Sequence, residues 1–301
     1  LHSCISKKEY RLVMMRYSSQ YRRKVHMKNE ICKKGFTDFQ LKWIALVLMV
    51  MDHIHYFFEF TGKIPEWFSM LGRLSAPLFL FCLLEGFQHT RNRKKYFLRI
   101  YVIAVGMGLL QYIFICFVRR PDGFVPQNQM LATFSILLVI LQGIDWCKQK
   151  KWGRGLSAIV LPLIWPFVGM GLIQAVPSAA NAVLLLHYTL LPMHSAIIDG
   201  GTYFILEGIL LYLFRKRRAL QAAVFFVLAL ILEGVFPFLL TPGATAEMLI
   251  TTMYGWMSGF AAIPMYLYNG QRGKGNKKLF YWFYPAHVYI LYGISWVMQL
   301  L

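Results

Sequence analysis

Three residues in the first long apolar stretch of this chain, Lys42, Asp52 and His53, place polar chemistry where hydrocarbon disfavours it. On an α-helix Lys42 and His53 lie three turns apart, about 16 Å, and return to within roughly 20° of one face. An imidazole next to a carboxylate in a partly dehydrated layer can be fixed in one tautomer, as a general base requires. Asp52 and His53 therefore predict a base with its orienting partner, and Lys42 predicts a cation lower on the same face. His55 points about 200° away from His53, so the two histidines predict no metal site.

Later stretches carry further polar groups. Gly72-Arg73-Leu74-Ser75-Ala76-Pro77-Leu78-Phe79 offers Arg73 as the ion partner of Asp52, and Pro77 removes a backbone donor, predicting a kink nearby. Asp199-Gly200-Gly201 sets a carboxylate beside two glycines that loosen a helix or start one. In the last stretch Pro285 frees the carbonyl of Tyr281, and Tyr281, Trp282 and Tyr284 stand around His287. Counting about 1.5 Å per residue from the ends of the stretches sorts the ionisable groups into two layers. Asp52, His53, Arg73, Asp199 and Glu233 fall near the outer boundary; Lys42, Glu85, Glu207 and His287 fall nearer the cytosol.

What must hold these groups is a membrane bundle. Of 301 residues 57% are hydrophobic and only 15% charged, too few charges for an ordinary soluble domain of this size. Nine apolar stretches of spanning length are predicted at 39–60, 67–88, 96–118, 129–146, 155–176, 195–214, 219–240, 247–268 and 279–300. The net charge of +19 does not predict nucleic-acid binding, because the basic residues cluster before the first stretch and then between every second pair, at 91–99, 148–154, 215–218 and 272–278. That alternation predicts an all-α, polytopic protein of the cytoplasmic membrane with its N-terminus inside and its C-terminus outside. The apolar piece Ala182 to Met193 is too short to span and reads as interfacial or re-entrant. Residues 1–38 form a basic cytoplasmic segment, of which 1–26 read as an extension ahead of a start at Met27 or as an arm on anionic lipid; residues 39–301 form one membrane domain. Five cysteines without a CxxC pair predict neither a zinc site nor a disulfide framework.

Several of these blocks resemble the TraX-like membrane proteins, a family named for a conjugation-operon protein that acetylates the N-terminus of the pilin subunit. The resemblance rests on Leu41-Lys42-Trp43-Ile44-Ala45 with Met51-Asp52-His53-Ile54, on the Gly72 to Phe79 block, on Lys278 to His287, and more weakly on Asp199-Gly200-Gly201. It is similar in turn to the membrane acyltransferases that modify surface sugars, in which a basic residue on the first span precedes the essential histidine by the spacing of Lys42 and His53. That resemblance implies acetyl-CoA as donor substrate and no metal, with His53, Asp52 and Arg73 catalytic and Lys42, His287 and Tyr284 on the donor-binding side. No later span carries an equivalent of the Arg-x-x-Arg pair of the sugar acyltransferases, and the acceptor is left as an unknown envelope component.

The resemblance thus implies acyl transfer from a cytosolic acyl-CoA to an acceptor at the outer face of the lipid bilayer. Two alternatives use the same polar layers: a proton-coupled transporter or flippase, favoured by the helix breaks at Pro77, Gly200 and Pro285, and a non-enzymatic component of a conjugation or envelope system.

Overall fold

A computed structural model describes residues 35–275 and 277–301, so the expectation for residues 1–26 lies outside the described residues. The protein is an all-helical membrane bundle. The first described helix, α1 (Asp38–Phe58), starts where Thr37 and Gln40 cap each other: the Gln40 amide donates to Thr37 Oγ1 at 3.2 Å and the Thr37 amide to Gln40 Oε1 at 2.8 Å. Leu41, Ala45 and Met49, spaced by one turn, point into the core. The helix ends in a 3₁₀ turn closed by Gly62 in the left-handed region.

The second predicted stretch is two helices, α2 (Trp67–Gly72) and α3 (Ser75–His89), broken at Arg73 and Leu74. Pro77 does not kink this stretch; it sits in the first turn of α3, where a missing amide is tolerated. Gly72 is required by close approach, since a β-carbon there would overlap the Asp52 side chain. Then follow α4 (Arg93–Phe117), α5 (Met130–Lys148) and α6 (Trp152–Ala175).

The piece expected to be re-entrant is a nine-residue helix, α7 (Ala180–Tyr188), ending against the middle of α4. The Tyr188 carbonyl occupies the space where Gly108 lacks a side chain, Tyr101 donates to the Leu190 carbonyl at 2.9 Å, and Trp165 donates to that of Leu191 at 2.5 Å. Irregular backbone at this depth is tolerated because protein, not lipid, satisfies its carbonyls. Gly200 and Gly201, at φ +102° and +70°, turn the chain into α8 (Gly201–Leu213). The next stretch, α9 (Arg218–Leu240), contains a π-helical turn at Leu230–Val235.

Among the described residues six helical stretches are long and apolar enough to cross a membrane: α1 with its closing turn, α2 with α3, α4, α5, α6 and α9. The other three predicted stretches take different forms. Helix α8 is only 13 residues long. The eighth stretch consists of α10 (Met248–Thr251), a 3₁₀ segment (Tyr254–Ala261) and α11 (Ala262–Tyr266). Helix α12 (Lys277–Leu300) is long and continuous through Pro285 but rich in tyrosine and tryptophan.

The main core is formed by Leu41 of α1, Leu78 and Phe81 of α3, Leu137 and Leu141 of α5, Leu211 of α8 and Phe225 of α9. A second cluster, Phe57, Met107, Val288 and Tyr292, seals α12 onto α1 and α4.

Candidate functional site

The site is built where α12 lies along α1. Phe280 packs on Phe39 and Trp43 at ring-centroid distances of 6.2 and 6.0 Å, His287 on His53 at 4.8 Å, and Tyr292 on Phe57 at 6.1 Å. Contacts in the same order along both chains mean that the two helices run parallel and level. His287 therefore stands beside His53, not in a separate layer nearer the basic end. Counting from predicted helix ends misplaced it because the register between distant helices is set by packing, which no local pattern encodes.

Each ring is tethered to its own helix. His53 Nδ1 lies 2.8 Å from the Met49 carbonyl, and His287 Nδ1 lies 2.9 Å from the Phe283 carbonyl. A carbonyl can only accept, so in both neutral imidazoles Nδ1 carries the hydrogen and Nε2 the lone pair. Asp52 thus does not orient the His53 ring, as its position next in sequence had implied; the Met49 carbonyl holds that nitrogen. Phe283 stacks on His287 at 5.2 Å, Tyr284 lies 5.8 Å away, and His287 Nε2 is buried without a hydrogen-bond partner.

Asp52 instead faces the break between α2 and α3. Its Oδ1 accepts from Ser69 Oγ at 2.9 Å and from Arg73 Nη2 at 3.3 Å, and Arg73 also donates to Ser69 at 2.7 Å. The expected Asp52–Arg73 pair is present, with Ser69 closing a triangle that the sequence reading missed; its signal was a serine one turn before the arginine. Arg73 sits 5.6 Å from the centre of the Tyr254 ring and its side chain is 42% exposed, so this corner is open. Asp199 lies within Coulombic reach of Asp52 and Arg73, and Glu233 within that of Arg73. The Asp199 carboxylate also accepts from the Met130 amide at 3.2 Å, at the start of α5.

A residue outside all these motifs fixes the arrangement. Arg120, 4% exposed, donates to the Phe57 carbonyl and to Ser295 Oγ, both at 3.1 Å, and pairs with Asp122 at 2.6 Å. Its guanidinium is flanked by Phe60 and Phe124, 5.0 and 4.2 Å away. One side chain therefore ties the end of α1 to α12, one turn past His53 and two turns past His287. The hydrogen-bonded Arg120 guanidinium holds the Asp122 carboxyl below the usual carboxylate range. The available signal was an Arg119–Arg120 pair in a loop on the side that otherwise avoids basic residues.

At the end where α1 begins, Lys42 is bonded to Asp38 at 2.6 Å and lies, with Arg99, within Coulombic reach of Tyr281 on α12. Lys42 and His53 thus both face α12, as their shared helix face predicts. Glu85 is paired with Arg218 at 3.2 Å, and Asp145 with Arg93 at 2.7 Å. No group of three His, Cys, Asp or Glu side chains able to hold a metal occurs among the described residues.

No solved structure matches the chain. It is 24% identical over 275 residues to a probable fimbrial assembly protein, FimC of serogroup H1, from Dichelobacter nodosus, covering 88% of this chain and 98% of that protein. Over 127 residues it is 30% identical to Protein TraX of Escherichia coli, covering 42% of this chain and 46% of that one. Residues 38–295, which include every site residue named above, match the family described as TraX protein, and the chain belongs to that family.

Proposed function

We propose that this protein is a membrane acyltransferase that moves an acyl group, with acetyl-CoA as donor, onto an envelope acceptor such as a pilus subunit. The observation that carries the reading is the contact between His53 and His287, each with Nδ1 tied to a carbonyl and Nε2 left as a base. Proposed orientation follows the basic clusters: α1 begins at the cytosol, nine passes count α8, the broken eighth stretch and α12 as crossings, and the chain ends outside. On this reading the donor approaches through the basic end, where Lys42, Arg99 and the ring cluster of Phe39, Trp43 and Phe280 offer cations and aromatic faces to a phosphorylated nucleotide. Lys42 reaches a phosphate only by exchanging Asp38 for it.

His53 Nε2 takes the proton from the acceptor amine or hydroxyl as the new bond to the acyl carbon forms. Arg73, within Coulombic reach of His53, and Tyr284, whose ring lies 5.8 Å from that of His287, are the donors assigned to the oxyanion, and His53 returns the proton to the departing thiolate. The thioester supplies the activated acyl carbon and the leaving group. The carboxyls of Asp52, Asp199 and Glu233 suit a second reading, a proton-coupled transporter, together with the breaks at Arg73, Gly200 and Leu230–Val235.

The test uses purified protein in nanodiscs with labelled acetyl-CoA and a cell-envelope extract, each variant first checked for an unchanged melting transition. Donor turnover is expected to fall about 100-fold or more in His53→Ala and to persist in His55→Ala. Equal turnover in the two variants would falsify the assignment of His53 as base, and proton-coupled uptake without any donor would favour the transporter.

A further inference from the structure

Three carboxyl groups gather around one guanidinium, and a fourth adjoins them. Asp52 is bonded to Arg73, Asp199 and Glu233 feel its charge, and Glu207 lies within Coulombic reach of Glu233. Glu207 and Glu233 form the part of this cluster least served by Arg73. Glu207, on α8, is 1% exposed, and neither of its carboxyl oxygens has a hydrogen-bond partner. Ser258, 3% exposed, lies beside the Glu233 carboxyl and leaves its own hydroxyl outside hydrogen-bonding geometry.

The backbone around these groups is unusual as well. Glu233 stands on the π-helical turn of α9, an insertion into the helix ladder of a kind frequent at functional sites. Gly234 and Gly255 let that turn and the 3₁₀ segment carrying Ser258 close on each other, with Glu233 Oε2 3.8 Å from the place a β-carbon of Gly255 would take. Three elements thus bring oxygen atoms together with the Ser258 hydroxyl as the one uncharged donor among them and no cation of their own. Two carboxylates facing each other away from water are strongly disfavoured unless a positive charge joins them. Among the described residues, the titratable or charged groups within Coulombic reach of the pair are the two carboxyls themselves and Arg73, which Asp52 already engages.

We propose that Glu207, Glu233 and Ser258 form a buried site for one positive charge, either a proton or an alkali metal ion. The oxygen-only donor set suits a small hard cation, and a site of this kind couples occupancy to the fit of α8 against the π-helical turn of α9. The site is independent of acyl transfer, and its test uses neither donor nor acceptor.

Full-length protein in nanodiscs is treated with a lipid-soluble carbodiimide, which modifies protonated carboxyls in apolar surroundings, and adducts are mapped by mass spectrometry. The expected result is an adduct on Glu207 or Glu233 whose rate falls several-fold as pH rises or as sodium, lithium or potassium replaces choline at constant ionic strength. Dependence on pH alone assigns a proton; dependence on the alkali ion assigns a metal ion. Glu207→Gln should abolish the response at Glu233, and Ser258→Ala, which leaves both carboxyls in place, should shift its midpoint. Absence of any adduct on the pair, a rate indifferent to both pH and cation, or an unmoved midpoint in Ser258→Ala overturns the three-residue site.

Discussion

The two ends of the bundle treat their charges differently. At the end where α1 begins, each of three described carboxylates has its own cation: Asp38 has Lys42, Asp145 has Arg93, and Glu85 has Arg218. Toward the other end, Asp52, Asp199 and Glu233 share Arg73, and Glu207 lies within Coulombic reach of Glu233. Paired charges hold helices together and leave little free to react. A surplus of one sign, with bare histidine nitrogens beside it, is an arrangement that persists at a cost in stability and is available for binding or proton transfer.

That contrast can be broken by removing one arginine from each end. Arg218→Ala strands Glu85, a buried carboxylate, and is expected to destabilise the protein by about 3–5 kcal/mol, read as a lowered melting transition in detergent. Gly72→Ala forces α2 away from Asp52 at a cost of roughly 1–3 kcal/mol, and faster hydrogen exchange should appear at the α1–α2 contact while the paired end stays protected. Arg73→Ala removes a pair less buried than Glu85, with side chains 42% and 24% exposed, so it should cost less than Arg218→Ala, about 1 kcal/mol. If Arg73→Ala proves as destabilising as Arg218→Ala, the contrast fails.

The smallest effect concerns acid. Because Arg120 lowers the folded-state pKa of Asp122, the stabilisation is present above the unfolded carboxylate value of about 3.9 and is lost as pH falls through the folded value. Asp122→Asn should therefore lower stability at neutral pH and make little difference below the folded value, so that the acid limb flattens. An acid limb identical to that of the unmodified protein would show that the staple does not titrate.

Much of the bundle was legible because apolar length and capping are local. Thr37 and Gln40 mark the start of α1, and the Asp52–Arg73 pair follows from two polar groups on neighbouring hairpin helices. What stayed hidden depends on register between distant segments. Nothing near Arg120 announces that it will meet Ser295, and nothing near His287 fixes its level against His53. Hydrophobic content alone also could not distinguish a continuous span from the broken path through Met248–Tyr266, where Gly255 and Gly259 allow a 3₁₀ segment to pack tightly on α9.

The parallel contact of α1 with α12 has a consequence for biosynthesis. One histidine is made with α1, the other with α12, and the Arg120 staple that ties their helices together waits for Ser295. Every nascent chain that stops short of α12 therefore carries half a site. Such a chain can reach the bilayer and fold much of its core, yet the two imidazoles meet only once α12 has been made.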